Sequence, residues 1–288
     1  MLFINPASGG GKAARAGLAD LAHERGIEPV VLAPGEDLEA LVEEAVAGGA
    51  DALGMAGGDG SLGVVAAAAC AHGLPFVCVP AGTRNHFALD LGVARHDLLG
   101  ALDAFSDGLE RSIDLGDANG RLFLNNTSIG IYGDAVQRTG YRDAKVHTLL
   151  QTAEGVLGPS APPPPTLRVV DDLGHDHPDP AVLLVSNNPY ALDLPLALGT
   201  RPALDSGRLG IVVLDASPDP RHGPGRAWTA PTLELTAAEP VAAGLDGEAI
   251  TLDPPLRFRI RPSALRVRIS SMHPGVSPSG LLSSRSLL

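Results

Sequence analysis

Glycine, hydroxyl and cationic residues gather in three short stretches of the first hundred residues. The first stretch is Asn5–Lys12, the second is Gly57–Ser61 and the third is Pro80–Ala88. Glycines let a backbone approach a ligand closely and adopt positive φ, and backbone N–H groups at a helix start bind oxygen anions. Lys12 and Arg84 add positive charge to two of the stretches. These residue types predict a site for phosphate groups.

Asp59, in the second stretch, does not fit a simple phosphate site, because a carboxylate repels phosphate. It is compatible with such a site if it binds Mg²⁺ or ties down the loop, and we expect it in an exposed turn. His86, in the third stretch, has two interpretations of equal weight, a hydrogen-bonded loop histidine and a part of the catalytic machinery.

Two acidic residues flank a glycine in the second half of the chain, in the sequence Asp246-Gly247-Glu248. A carboxylate within hydrogen-bond reach of a hydroxyl can take up its proton as a phosphoryl group is transferred. The Asp-Gly pair is also a strong signal for a β-hairpin, and alone this stretch would indicate no more than a turn. Combined with a phosphate site, it becomes a candidate general base.

Each of the three glycine stretches follows an apolar run that predicts a β-strand, at 2–4, 51–56 and 75–79. A further strand is predicted at 29–32, and helices are predicted at 12–25, 37–47 and 62–72, the second capped by Asp37. Strands that alternate with helices predict a parallel sheet covered on both faces. Open sheets of this kind bind ligands beyond the carboxyl ends of their strands, which is where the three stretches lie.

Beyond residue 108, short runs rich in Val, Ile and Leu are separated by Gly, Pro and Asp clusters, which predicts an antiparallel sandwich. One helix is expected at 144–157, a stiff proline-rich loop at 160–165 and a mobile tail from residue 271. The predicted fold class is an α/β nucleotide-binding domain with a parallel sheet, followed by an antiparallel β-sandwich domain. The predicted domains are residues 1–118 and 119–288.

Composition excludes several functions. The net charge of −12 argues against a nucleic-acid-binding surface, and the 3% of aromatic residues provide no platform for stacking bases. Cys70 and Cys78 are expected as buried free thiols in a reducing compartment. No signal peptide is evident, and no apolar run approaches the ~20 residues of a membrane span. A cytoplasmic protein without a transmembrane segment is predicted.

The three glycine stretches together resemble the diacylglycerol kinase catalytic family, the bacterial lipid kinases related to sphingosine and ceramide kinases. The resemblance extends over nearly the whole chain. It implies an active site in the cleft between the two domains, and transfer of phosphate from ATP, with Mg²⁺, to a hydroxyl of a diacylglycerol-like or sphingoid-like lipid. A lipid substrate requires transient visits to the inner membrane surface. The oligomeric state, a homodimer included, stays open.

The resemblance also implies roles for individual residues. Glu248 is the predicted general base, and Asp246 positions the nucleophile or is linked to Mg²⁺. The stretch Asp205-Ser206-Gly207 is similar to a magnesium-binding segment of the family, although Ser206 stands where the family has an aspartate. Asp205 and Ser206 are therefore the metal candidates. The predicted nucleotide-binding residues are Asn5, Ser8, Gly9, Gly10, Lys12, Gly57, Gly58, Asp59, Gly60, Ser61, Gly82, Thr83 and Asn85.

Two alternatives remain. An NAD kinase shares the Gly-Gly-Asp-Gly architecture, although the first and third stretches are more similar to those of lipid kinases. A family member that binds nucleotide or lipid without turnover is the second alternative, because Gly63 and Val64 replace an Asn-Glu pair common in relatives and Ser206 replaces the metal-binding aspartate. The sequence identifies neither the lipid acceptor nor the nucleoside triphosphate.

Overall fold

The computed structural model describes residues 1–130, 166–178, 180–192, 199–219 and 223–285. The predicted helix at 144–157 and the proline-rich loop at 160–165 lie outside these residues. The chain divides into two compact units. The first comprises Met1–Asp114, Leu196–Asp205 and Pro262–Leu288, and the second comprises Leu115–Pro195 and Ser206–Arg261. Within the described residues, no helix combines the length and the apolar character that crossing a bilayer requires.

The first unit is built on parallel strands in the order β2-β1-β3-β4. Phe3 lies opposite Val30 on one side and Met55 on the other, and Met55 lies opposite Cys78. Strands β1, β3 and β4 are buried along their whole length, as expected of parallel strands covered on both faces. The strands are β1 (Leu2–Ile4), β2 (Pro29–Val31), β3 (Leu53–Ala56) and β4 (Phe76–Val79).

Seven helices of the first unit occur among the described residues before Asp114. They are α1 (Lys12–Arg15), α2 (Leu18–Glu24), α3 (Leu38–Ala47), α4 (Asp59–His72), α5 (His86–Asp90), α6 (Leu98–Leu102) and α7 (Ala104–Asp107). The predicted cap of α3 is confirmed, because Asp37 accepts a hydrogen bond from the backbone N–H of Ala40 at 3.2 Å. The single helix predicted at 12–25 is wrong. The chain forms α1 and α2 instead, because Gly17 adopts a left-handed conformation with φ of 60° between them.

The second unit is a sandwich of two largely antiparallel sheets. One sheet has the order β12-β11-β10-β7-β14-β15, and the other contains β16-β13-β8-β9, with β5 beside β16 and β6 beside β5. The strands are β5 (Gly108–Ala118), β6 (Arg121–Phe123), β7 (Asn126–Gly130), β8 (Leu167–Val170), β9 (Asp176–Pro178), β10 (Val182–Asn187), β11 (Leu209–Asp219), β12 (Gly223–Ala230), β13 (Thr232–Ala237), β14 (Val241–Leu245), β15 (Glu248–Leu252) and β16 (Leu256–Ser270).

The sandwich core consists of alternate residues from both sheets. Leu183, Val185 and Ile211 come from one sheet, and Leu235 and Phe258 come from the other. This alternation is the period of two that a half-buried strand requires. The predicted fold class, an α/β domain with a parallel sheet followed by an antiparallel sandwich, is confirmed.

The C-terminal residues return to the first unit. Val267 and Arg268 of β16 pair in parallel with Phe76 and Val77 of β4. The mobile tail expected from residue 271 is wrong for the described residues, because they form helix α8 (Pro278–Arg285) and Ser279 is fully buried. The reason is long-range hydrogen bonding to residues 199–205, which no local sequence pattern reveals.

Candidate active site

Three loops of the first unit follow the carboxyl ends of three neighbouring strands. The first loop (residues 5–11) follows β1, the second loop (57–61) follows β3 and runs into α4, and the third loop (80–85) follows β4. Because β1, β3 and β4 are adjacent and parallel, the loops lie at one edge of the sheet. The sequence prediction that these stretches share an edge is therefore confirmed.

The three loops meet at Gly82. A Cβ atom on Gly82 would lie 3.0 Å from the carbonyl oxygen of Gly57 in the second loop. A Cβ atom on Gly9 would overlap the carbonyl oxygen of Ala81 in the third loop. Lys12 adds a direct bond, since its Nζ donates to the carbonyl oxygen of Gly82 at 3.1 Å. The glycines are thus required because the loop backbones touch one another.

The first loop is a compact turn closed by Asn5. The backbone N–H of Asn5 donates to the carbonyl oxygen of Ala56 at 2.9 Å, which joins the loop to the end of β3. The side-chain oxygen of Asn5 accepts from the backbone N–H of Ala7 at 3.0 Å. Ser8, Gly9 and Gly10 then form one 3-10 turn with positive φ at both glycines. Asn5 therefore shapes this loop through its own backbone and side-chain bonds.

The second loop places its residues at the start of α4. Gly58 precedes the helix in an extended conformation, and Asp59, Gly60 and Ser61 form the first helical turn. The first N–H groups of a helix have no partner inside the helix and carry the positive end of its dipole. This loop can therefore bind an anion through its backbone.

Asp59 is not in the exposed turn that the sequence predicts. Its side chain is half-buried, and its Oδ1 is fully buried with no hydrogen-bond partner among the described residues. Burial raises the pKa of Asp59, and Asp90 also raises it, whereas His86, the backbone N–H of Phe87 and Arg201 lower it. Asp59 is thus a carboxylate in a low-dielectric place whose charge depends on its neighbours.

His86 lies among charges of both signs. Burial lowers the pKa of His86, the carboxylates of Asp59 and Asp90 raise it, and the guanidinium groups of Arg84 and Arg95 lower it. The cations therefore support the effect of burial in favouring the neutral ring. Both interpretations of His86, a loop histidine and a part of the catalytic machinery, are compatible with this position.

The third loop is held by Asn85 from within. Asn85 is buried, has φ of 53°, and precedes α5. Its Nδ2 donates to the carbonyl oxygens of Pro80 at 2.9 Å and Arg95 at 3.0 Å. Asn85 therefore fixes the loop, whereas Thr83 is exposed and able to meet a ligand.

The thiols do not contribute chemistry to these loops. Neither Cys70 nor Cys78 forms a disulfide, and Cys70 is half-buried whereas Cys78 is buried in β4. Burial, together with the charge of Asp59, raises the pKa of the Cys78 thiol, so it stays protonated and unreactive. The expectation that neither cysteine forms a disulfide is confirmed.

A second cluster lies in the second unit, at the tip of the hairpin formed by β14 and β15. Leu245 pairs with Glu248, and Asp246 and Gly247 form the turn with φ of 49° and 90°. Positive φ at both central residues is the geometry of a two-residue type I′ hairpin. The hairpin prediction is confirmed, and Glu248 is exposed at the first position of β15.

Asp246 is fastened to the start of β7 by both of its carboxylate oxygens. Oδ2 accepts the backbone N–H of Leu124 at 2.7 Å, and Oδ1 accepts those of Asn125 at 2.7 Å and Asn126 at 3.1 Å. A hairpin turn does not require three such bonds. The side chain of Asp246 therefore holds the hairpin that carries Glu248 in place.

Sequence reasoning missed two asparagines in this cluster, Asn187 and Asn188, which are both fully buried. Asn187 donates through its backbone N–H to the carbonyl oxygen of Asn125 at 2.9 Å and through Nδ2 to that of Leu124 at 3.1 Å. The signal was present in the sequence, because polar residues 186–188 follow directly on an apolar strand. Buried amides with several partners give such a cluster a defined shape.

The two metal candidates, Asp205 and Ser206, interact with other residues of the protein. The backbone N–H of Ser206 donates to Oδ1 of Asn188 at 2.8 Å, and its hydroxyl donates to the same atom. Asp205 is exposed, and its charge acts on the nearby Arg111, where it raises a pKa that burial lowers. Across the described ranges, no three His, Cys, Asp or Glu side chains gather as a metal site would need. Ser206 and its neighbours do not fit a magnesium ion held by the protein.

Comparisons with known proteins identify relatives of this chain. Residues 1–118 match the diacylglycerol kinase catalytic domain. The protein named "Probable lipid kinase YegS-like" from Pseudomonas aeruginosa is 30% identical over 95% of this chain and 95% of its own length. A diacylglycerol kinase from Mycobacterium tuberculosis is 37% identical over 41% of this chain and 40% of its own length.

A solved structure extends the likeness in fold. A diacylglycerol kinase from Bacillus anthracis superposes with a TM-score of 0.66 at 18% identity, covering 96% of this chain and 97% of that one. At this identity the match concerns the fold alone, whereas the Pseudomonas relative is similar in sequence over 95% of its length. The chain belongs to the lipid kinase family that carries the diacylglycerol kinase catalytic domain.

Proposed function

We propose that the chain transfers the γ-phosphoryl group of MgATP to a hydroxyl of a diacylglycerol-like or sphingoid-like lipid. The observation that carries the proposal is the meeting of three phosphate-type loops at Gly82, with Lys12 bonded to the same residue. The names of the relatives, which include diacylglycerol kinase and lipid kinase, support this substrate class.

The nucleotide side of the reaction belongs to the three loops. Backbone N–H groups of the first turn of α4, together with the ammonium of Lys12, would bind phosphate oxygens. Thr83 would contact the nucleotide from the third loop, where its side chain is exposed. Mg²⁺ enters with the nucleotide as part of the substrate and neutralises charge that develops on the phosphate oxygens. No step of the proposal uses a magnesium ion at Ser206.

The acceptor side of the reaction belongs to Glu248. The lipid hydroxyl gives its proton to a carboxylate oxygen of Glu248 while the hydroxyl oxygen forms a bond to the γ-phosphorus. The bond between that phosphorus and the β–γ bridging oxygen breaks, and ADP leaves with the electron pair. Asp246 takes no proton in this scheme. It acts by holding the hairpin, because both of its oxygens already accept backbone N–H groups.

The experiment is incubation with ATP labelled on its γ-phosphate and a panel of acceptors presented in mixed vesicles. The panel contains diacylglycerol, ceramide, sphingosine, phosphatidylglycerol and NAD. Label in diacylglycerol or sphingosine is the expected result. Label in NAD alone would replace the proposal by the NAD kinase alternative. Sedimentation of the active fraction with and without vesicles tests the transient visit to a membrane surface, and its size in solution tests a homodimer.

One observation favours a second candidate, a family member that binds without turnover. The hydroxyl of Ser206 is committed to Asn188, and Gly63 and Val64 leave no polar side chains at those positions of α4. Such a protein would bind ATP, or vesicles that contain the acceptor lipid, and label no acceptor. Calorimetric titration with MgATP, carried out beside the labelling assay, separates the two candidates.

A further inference from the structure

A fully buried arginine forms an ion pair with an aspartate at the end of α5. The side chain of Arg201 is 0% exposed, and Asp90 is 4% exposed. The backbone N–H of Arg201 donates to Oδ1 of Asp90 at 2.8 Å, and its Nε and Nη2 donate to Oδ2 at 2.9 and 2.7 Å. A buried ion pair is rarely more stabilising than apolar residues of the same volume. Its presence beside the nucleotide loops therefore calls for a role other than stability.

The ion pair of Asp90 and Arg201 holds helix α5, which begins where the third loop ends. Helix α5 is only five residues long, so the position of Asp90 at its end determines the position of its start. At that start, Asn85 holds the third loop, His86 lies among the charges, and the backbone N–H of Phe87 reaches Asp59.

Hydrogen bonds to Ser277 and Ser279 hold Arg201 and the neighbouring Thr200 in place. The hydroxyl of Ser277 donates to the carbonyl oxygen of Arg201 at 2.6 Å, and the neighbouring Thr200 donates to the hydroxyl of Ser279 at 2.9 Å. Both serines are buried. The arginine thus acts from a rigid support within the same unit.

We propose that Asp90 and Arg201 are positioning residues of the nucleotide-binding loops, which hold α5 against the second loop and balance the charge around Asp59. The nucleotide part of this proposal rests on the proposed function. The part that concerns Asp59 does not, because it follows from the free protein alone.

The two charges of the pair act on Asp59 in opposite directions. Asp90 raises the pKa of Asp59, and Arg201 lowers it. Among the described residues, His86 and the N–H of Phe87, both on α5, also act on Asp59, and Asp59 acts on the thiol of Cys78 on β4, which stays protonated. Arg84 and Arg95 act on His86 in turn. Loss of either partner therefore removes one of two opposing effects on the pKa of Asp59.

The first test is carboxyl-carbon NMR of the free protein, in which the Asp59 signal is assigned by its loss in Asp59→Asn. Arg201→Met leaves Asp90 unpaired, so the titration midpoint of Asp59 should move to higher pH. Asp90→Asn removes the negative charge that raises the pKa of Asp59 and keeps that of Arg201, so the midpoint should move to lower pH. Movement in opposite directions supports the proposal. Movement in one direction in both variants, or no movement, overturns it, because a merely structural pair predicts no such opposition.

The second test is calorimetric titration of MgATP into the double variant Asp90→Asn with Arg201→Met. It removes both charges of the pair together, so neither Asp90 nor Arg201 faces a neutral replacement of the other, and it serves as the test if Arg201→Met alone does not fold. We expect ATP affinity to fall by about 10- to 100-fold, the scale typical of residues that orient a binding group. Affinity equal to that of the wild type, with a cooperative unfolding transition, overturns the positioning role.

The matched control is the exposed pair of Arg168 and Asp176 in the second unit, joined at 3.0 Å. Arg168→Met and Asp176→Asn remove the same charges and should change neither the Asp59 midpoint nor ATP affinity. A wild-type protein that fails to bind MgATP would contradict the proposed function, and the NMR titration would then decide the positioning role by itself.

Discussion

Asp246 and Asn126 are hydrogen-bonded to each other in both directions. The backbone N–H of Asp246 donates to the carbonyl oxygen of Asn126 at 2.9 Å, and the backbone N–H of Asn126 donates to Oδ1 of Asp246 at 3.1 Å. With the N–H groups of Leu124 and Asn125 on the same carboxylate, three backbone donors converge on one side chain. Asp246 is predicted from the sequence to position the nucleophile. Its carboxylate instead holds the β14–β15 hairpin against the residues at the start of β7.

Asp246→Asn tests this fastening. Asparagine tolerates the positive φ of this position, but its amide offers one oxygen and one NH₂ group to three N–H donors. Hydrogen bonds to a charged acceptor contribute about 1.5–3 kcal/mol each, and a buried donor left unpaired costs about 1–3 kcal/mol. We expect the free energy of unfolding in urea to fall by ~2–4 kcal/mol. Unchanged stability would mean that the carboxylate does not hold the hairpin.

Glu248→Gln tests the proposed base. Glutamine keeps the size of the side chain and its hydrogen bonding but cannot take up a proton. We expect kcat to fall by ~10² to 10⁴ with an unchanged Kd for ATP, since the nucleotide loops belong to the other unit. Glu239→Gln, an exposed change in the same unit, is the control and should retain full turnover.

Two outcomes would contradict the assignment of Glu248. Loss of ATP binding in Glu248→Gln would place this residue at the nucleotide, and normal turnover would reduce the Asp246–Glu248 stretch to a hairpin without chemistry.

Asp59→Asn should become more stable relative to the wild type as pH rises. Burial raises the pKa of Asp59, so the folded protein holds a proton that the unfolded chain has released. Folding stability therefore falls as pH rises from the ordinary aspartate pKa of 3.8 through the raised one. Asparagine does not titrate, so the variant should be more stable than the wild type near neutral pH and similar to it below the ordinary aspartate range. Urea unfolding at several pH values measures this difference, and a difference independent of pH would refute it.

Gly82→Ala should destabilise the free protein, because the new Cβ would lie 3.0 Å from the carbonyl oxygen of Gly57 and press the loops apart. Overpacking of this kind costs about 1–3 kcal/mol. Gly58→Ala is the matched change, since a Cβ there meets nothing within 4 Å and the backbone is already extended. It should cost less than ~1 kcal/mol, the scale of a changed helix cap. Equal losses in both variants would show that the loops can separate freely.

Ser206→Asp tests whether the protein itself binds Mg²⁺ near this position. Without nucleotide, the wild-type melting temperature should be the same in excess Mg²⁺ and in excess EDTA, because the Ser206 hydroxyl is bonded to Asn188. The variant places a second carboxylate beside Asp205 and should gain a melting temperature that rises with Mg²⁺. A wild-type protein stabilised by Mg²⁺ alone would show that a protein-held ion exists after all.

The edge on which the glycine loops lie could be predicted because its determinants are local. Each loop follows an apolar strand directly, and parallel strands end at one edge. Gly17 shows the limit of local patterns, since a single glycine inside a helical pattern is usually tolerated, and only its left-handed conformation separates α1 from α2.

The burial of Asp59 and the pair of Asp90 with Arg201 could not be predicted, for a common reason. Residues 57–61 are small and polar, so their own sequence indicates exposure, whereas burial is imposed by α5 and β4. Asp90 and Arg201 are 111 positions apart, and no pattern of spacing joins them. A side chain's local sequence reveals its chemistry, but its charge state depends on partners brought together by the whole chain.

The pairing of β4 with the last strand has a consequence for how the protein is made. On the ribosome, β4 is made before β16, so it cannot pair with its partner residues, Val267 and Arg268, until the chain has been extended through β16. Until then β4 presents an open edge, the kind of surface to which foreign strands add. We therefore expect this edge of the sheet to be completed only after β16 has been made. A stop codon before β16 should yield an aggregating fragment instead of a smaller folded protein.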